Sequence, residues 1–204
     1  MANTQVIDPV SNDAADDIQL GIPYIARVTV EGTAPLLFHR WSNEAVEAKA
    51  KAAKNSTAKK SDNVESYVYR TDEGNLAMPG EYLRQSVLGA SKFRQDPRSP
   101  RASAIKLFTA GVVATTDLAD LGVSDWDYLD RRRALVQRSA ITRERPAMKV
   151  GWKATTDLMV LLPEYIDSTV LLETLGAAGR LIGVGDFRPT FGRFAVIGFE
   201  VSRG

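Results

Sequence analysis

An α+β fold, an antiparallel sheet with helices on one face, is what the sequence predicts. Three observations lead there. Residues 24–31 alternate between two faces, with Tyr24, Ala26, Val28 and Val30 on one and Ile25, Arg27, Thr29 and Glu31 on the other. Residues 166–182 carry aliphatics at helical spacing behind a capping aspartate, and residues 194–199 alternate again. The chain therefore closes as strand, helix, strand.

Residues 1–22 hold Asp8, Asp13, Asp16 and Asp17 and no Lys or Arg. They read as a mobile acidic arm, with Val6, Ile7 and Val10 able to dock on a neighbouring subunit. Residues 23–204 read as one domain with basic loop and hairpin insertions. After the first strand come Leu-Leu-Phe-His-Arg-Trp at 36–41, an alanine-rich peripheral helix at 43–54 and a polar loop at 55–63. Residues 66–70 and 74–78 flank Thr71-Asp72-Glu73-Gly74 and predict a hairpin. Pro79-Gly80-Glu81 opens a helix that faces inward through Leu83, Val87, Leu88 and Ala90.

Residues 93–102 read as a proline-broken basic loop, 106–115 as a strand, and 117–129 as a loop with a short helical turn. Strands are expected at 131–138 and from near Val150 to Leu162. Asp167 caps the next helix, Ile166 staples to Leu171, and Val170, Leu171, Leu175, Ala178 and Ile182 are its buried side. Gly183 ends it as a left-handed cap. The last strand sets Phe194, Val196 and Gly198 against Ala195, Ile197 and Phe199. This element order predicts a ferredoxin-like, RRM-like core.

The chain has no cysteine and one histidine among 204 residues. That excludes a disulfide framework, a thiol nucleophile and thiolate metal sites. Zinc clusters and His-containing triads would rest on His39 alone, so no metal and no cofactor is expected. Neither a signal peptide nor a membrane-length apolar run is evident, which predicts a cytoplasmic protein with no membrane partner. The net charge of +1 hides an asymmetry: without the four aspartates of the arm, the rest stands at about +5.

Cations cluster in two places. Arg131, Arg132, Arg133, Arg138, Arg143, Arg145, Lys149 and Lys153 lie in one stretch opposed by Glu144 alone, with Met148 and Trp152 among them. On a strand pair such cations can follow a phosphate backbone, and the flat or polarizable side chains can stack on bases. The second cluster is Gly-Val-Gly-Asp-Phe-Arg-Pro-Thr-Phe-Gly-Arg-Phe at 183–194. It lacks the Lys-Ser/Thr ending of a P-loop and joins a helix to a strand, the reverse of a nucleotide-binding turn. Its glycines would let the backbone approach a phosphate, with Arg188 and Arg193 beside it.

A glycine-rich turn between the last helix and last strand of such a fold resembles the RAMP superfamily of CRISPR RNA-binding proteins. The layout is most similar to the backbone subunits that polymerise along a guide RNA. The 185–194 run also resembles a group of phage-encoded proteins of unassigned function. The resemblance implies a single-stranded nucleic acid, RNA or DNA, as partner, and a homo-oligomer, filament or multi-subunit nucleoprotein complex. The residues expected to meet the strand are Arg138, Arg143, Arg145, Lys149, Arg188 and Arg193. Lys92, Arg94, Arg98 and Arg101 flank them on a loop, and His39, Arg40 and Trp41 complete the set. No catalytic residue is expected. The alternatives are a metal-independent endoribonuclease with His39 as general base, as the resemblance to guide-processing enzymes suggests, and a structural assembly protein.

Overall fold

The computed structural model describes residues 21–40, 51, 64–136 and 139–204, with backbone alone at 133–136 and 139–142. The expected arm, the helix at 43–54 and the loop at 55–63 fall outside these residues, apart from 21, 22 and 51. In chain order the strands are β1 (Tyr24–Gly32), β2 (Leu36–Leu37), β3 (Tyr69–Arg70) and β4 (Leu76–Pro79). Helix α1 (Gly80–Ser91), β5 (Gln95–Asp96), β6 (Ser99–Ser103) and α2 (Ile105–Gly111) follow. Then come β7 (Val112–Ala114), β8 (Leu118–Asp120), β9 (Tyr128–Val136), β10 (Ser139–Met148) and β11 (Lys153–Val160). Helix α3 (Ser168–Leu181) and β12 (Phe194–Arg203) end the chain.

The main sheet runs β12-β1-β11-β7, and each neighbouring pair is antiparallel. The alternation along β1 decides what each face does. Tyr24, Ala26, Val28 and Val30 are buried, and the paired Ala154, Thr156, Leu158 and Val160 of β11 are buried beside them. On the opposite face Arg27 grips Asp157 through two 2.9 Å hydrogen bonds, and Thr29 meets Thr155 at 3.0 Å. Glu31 and Lys153 pair there as well. That outer face is neutralised by its own cross-strand pairs and bears no aromatic ring in β1 or β11 past the buried Tyr24.

Helices α1 and α3 form the other layer. Leu83, Val87, Leu88 and Ala90 of α1 are buried, as their spacing requires, and Ser86 Oγ donates to Ala178 O of α3 across the contact. Helix α3 begins as its sequence dictates: the Asp167 carboxylate accepts from Val170 N at 2.8 Å. Its buried residues are Leu171, Thr174, Leu175, Ala178 and Gly179, while Val170 and Ile182 are half-buried. Gly183 takes φ +76° and its N–H returns to Ala178 O at 2.9 Å, the left-handed cap expected there.

Several elements differ from the sequence expectation. The hairpin before α1 pairs Tyr69 with Ala77 and Arg70 with Leu76, but residues 64–67 form a 3-10 turn that shortens its first strand. Residues 93–102 form the β5–β6 hairpin instead of an irregular loop. Asp96 organises it by accepting from the backbone N and the guanidinium of Arg98 at 2.9–3.1 Å. The stretch 105–111 is helical, and only Val112–Ala114 is strand. Between 117 and 129 there is strand β8, which joins β4, and no helical turn. On β12 a register shift against Thr29 and Val30 moves Phe199 and Val201 to the core face.

The Arg98 hydrogen bonds hold the Asp96 carboxyl below its ordinary range. A carboxyl whose folded pKa is depressed stabilises the fold above its unfolded value, and that contribution disappears as pH falls through the lower folded value. The β5–β6 hairpin is therefore expected to loosen only below about pH 4. In Asp96→Asn, protection of its amides should be lower at neutral pH and less sensitive to acid, as read by hydrogen exchange.

Candidate nucleic-acid interface

The glycine-rich turn is held by backbone contacts along its whole length. Val184 N donates to Gly192 O at 2.9 Å and closes the turn on itself. Asp186 N donates to Leu37 O at 3.1 Å and Gly192 N to Pro35 O at 2.8 Å, which seats the turn on β2. The carbonyl of Arg193 accepts from Thr33 and Ala34. Strand β2 in turn pairs with β10, Leu36 with Met148 and Leu37 with Ala147. The turn, the short strand and the β9–β10 hairpin are thus one unit.

This arrangement corrects the reading of the glycines. A Cβ on Gly185 would lie 2.7 Å from Leu37 O, and one on Gly192 would lie 1.7 Å from Val184 O. Those glycines are required first by the close approach of protein backbone, and Gly185 also lines an open groove. Met148 and Trp152, expected among the stacking residues, are both buried; Trp152 Nε1 donates to Ala34 O at 2.9 Å.

The charges of the hairpin are partly consumed within the fold. Arg131 pairs with Glu144 at 2.7 Å, and Arg132 is bidentate on Asp130. Arg145 is turned inward, only 7% exposed, with Nε 2.5 Å from Asp186 Oδ2. Its guanidinium lies 4.7 Å from the centre of the Phe187 ring, and that of Arg132 lies 4.4 Å from the Phe191 ring. Arg145 therefore clamps the turn and does not present its charge to solvent. Arg143 is half-buried opposite Arg132. Arg138 and Trp41 lie outside the described residues.

Of the flanking cations, Arg94 pairs with Glu173 at 2.9 Å, and Arg98 is held by Asp96 and lies over the Tyr165 ring. Arg40 lies over the Tyr69 ring at 5.2 Å. His39 Nδ1 is 3.7 Å from Asp186 Oδ2, and its ring meets Tyr67 edge-on at 5.2 Å. Lys92, Arg101, Lys149, Arg188 and Arg193 are exposed and make no ion pair among the described residues.

Lys92 and Arg188 come together. Both line an open groove of about 970 Å³ between the C-terminal half of α1, the start of α2, the end of α3 and the glycine-rich turn. Phe93, Leu181 and Phe187 line it too, and they are 72%, 49% and 40% exposed. Asp186 is on its wall, with its charge already engaged by Arg145. Sequence reasoning missed Phe93 and Phe187 as groove residues. The signal was present, an aromatic next to a cation in Lys92-Phe93 and in Phe187-Arg188, but only the fold brings these two dipeptides to one cleft.

The fold and this site define a mixed α+β protein with antiparallel sheets that carries a cation- and aromatic-lined groove. Against known proteins, no family model matches and no curated protein matches. Solved structures do match. Among them is a chain of the Type III-B Cmr-beta bound to cognate target RNA, determined by cryo-EM, with a TM-score of 0.50 and 9% sequence identity. The likeness covers 93% of this chain and 63% of that one. At such identity it is a likeness of fold, and the chain spans less than two thirds of its neighbour's length. No helix among the described residues is long and apolar enough to cross a membrane.

Proposed function

We propose that this chain is a non-enzymatic protein that binds single-stranded RNA on a ferredoxin-like, RAMP-like core and assembles side by side along the strand in a nucleoprotein complex. The strand order supports the core: the four main-sheet strands lie fourth, first, third, second, with helices in both crossovers. The observation that carries the function is the open groove whose exposed cations, Lys92 and Arg188, make no ion pair among the described residues. Unpaired cations beside a cleft provide the counterion-releasing contacts of a single-strand binder. The neighbour in fold comes from a complex bound to target RNA, which favours RNA over DNA.

Affinity for a single strand is expected to fall steeply with salt and to vary little with base sequence. Removing one phosphate-contacting cation should flatten the log–log salt slope by about 0.7. Arg188→Ala and Lys92→Ala should each do so and leave the melting temperature unchanged, because neither side chain is buried. Fluorescence anisotropy with RNA and DNA oligonucleotides of the same sequence, over a salt series, tests this. No binding at low salt, together with self-association without RNA, would favour a structural assembly role instead.

A second reading has one observation in its favour. The Asp186 carboxylate near His39 Nδ1 supplies the orienting group that a general-base histidine uses. On the proposed reading the wild type does not cut RNA. Metal-free cleavage that leaves a cyclic phosphate and vanishes in His39→Ala would install the nuclease.

A further inference from the structure

We propose that the groove takes the bases as well as the phosphates of the strand, with Phe93 and Phe187 as stacking platforms. This rests on the RNA-binding reading and goes beyond it, since an electrostatic lip alone would need no rings. Two separate stretches bring the same pair of groups to one cleft, Lys92-Phe93 at the end of α1 and Phe187-Arg188 on the glycine-rich turn. Each pair joins a flat apolar ring to a cation on the adjacent residue that makes no ion pair among the described residues. That combination holds successive nucleotides without reading their sequence.

The backbone carrying each ring is held in place. Phe93 N donates to Ala90 O at 3.0 Å, and the next residue, Arg94, is anchored on Glu173 of α3. The turn therefore holds a 72% exposed ring outward, giving up the stabilisation that its burial would bring. Phe187 has φ +54°, a left-handed conformation unfavourable for a residue with a bulky side chain. Strain of this kind clusters at ligand sites, where the surrounding structure over-determines it. Here the surroundings are the Arg145 and Arg132 guanidiniums, 4.7 and 5.7 Å from the ring centre. They support the ring while it remains 40% exposed on the groove wall. The groove's volume of about 970 Å³ lies at the upper end of ordinary ligand clefts, roughly 300–1,000 Å³.

The test uses the full chain and a single-stranded RNA carrying 2-aminopurine, whose fluorescence falls when the base stacks. Wild type should quench it on binding. Phe93→Ala should lose most of the quenching and roughly 10-fold in affinity with its salt slope unchanged, since stacking releases no counterions. Phe93→Tyr should restore both. Lys92→Ala should show the converse, a flatter slope with quenching kept. If wild type binds RNA and Phe93→Ala binds it equally tightly, the stacking proposal falls while the RNA-binding reading stands. If wild type does not bind at low salt, that reading falls first. A benzophenone amino acid at position 93 identifies the occupant: cross-links to RNA support the proposal. Cross-links to the acidic residues 1–20 under saturating RNA, or none to RNA, overturn it.

Discussion

Gly192→Ala is expected to cost about 4 kcal/mol or to prevent folding altogether. Gly192 has φ +70°, where a Cβ alone costs about 1 kcal/mol. The larger part is steric. The added Cβ would lie 1.7 Å from Val184 O, 2.7 Å from its carbonyl carbon and 2.9 Å from its N. These are backbone atoms, and they belong to the residue whose N–H closes the turn on Gly192 O, so relieving the clash means opening the turn. Gly122 provides the control, with φ +72° and nothing within 4 Å of a built Cβ. Gly122→Ala should cost only the conformational part, about 1 kcal/mol. Gly183→Ala should fall between the two, since its Cβ would meet Gly192 O at 2.9 Å. Urea melts of the three variants measure the order. Equal losses at 122 and 192 would mean that the turn relaxes freely and that its backbone packing contributes little.

Much of this architecture was legible because it depends on local periodicity. The inward residues of β1, the buried face of α1, the Asp167 cap and the Gly183 stop are all set by side chains within a few positions of one another. What the chain hid depends on distant partners. Residues 93–102 look irregular until Asp96 is seen to accept from Arg98, and 106–115 holds a helix and a strand in a span too short for one period to dominate. Charge counting misled most in the hairpin. Within residues 131–153 Glu144 is the single acid, yet Asp130 and Asp186, outside that window, engage Arg132 and Arg145. The site was half visible: Lys92 and Arg188 were among the expected contacts, while Phe93 and Phe187 beside them were not. Their meeting across the groove depends on α1 and the turn lying side by side, which no local pattern encodes.

Asp186→Ala is the second large loss expected, about 3 kcal/mol or more, and its asymmetry with the matching change at Arg145 is what identifies the clamp. The Arg145 side chain is 9% exposed and that of Asp186 is 27% exposed. Removing the carboxylate leaves a guanidinium buried against Phe187 with no ion partner among the described residues, and the desolvation cost is then uncompensated. Arg145→Met acts differently. It keeps much of the volume against the ring, removes the buried charge, and leaves a carboxylate whose side chain is 27% exposed and that has His39 3.7 Å away. Its cost should be smaller, about 1–2 kcal/mol, since the group it leaves unpaired is the more exposed of the two partners. The double variant Asp186→Ala, Arg145→Met should therefore be more stable than Asp186→Ala alone, a coupling that a denaturant melt of all four proteins measures. Additive losses would show that the two residues act separately, and the turn would then hold by its backbone contacts alone. The same set bears on binding. A stable Arg145→Met protein should keep its RNA affinity and its salt slope, because Arg145 orients the turn and leaves the phosphates to Arg188 and Lys92.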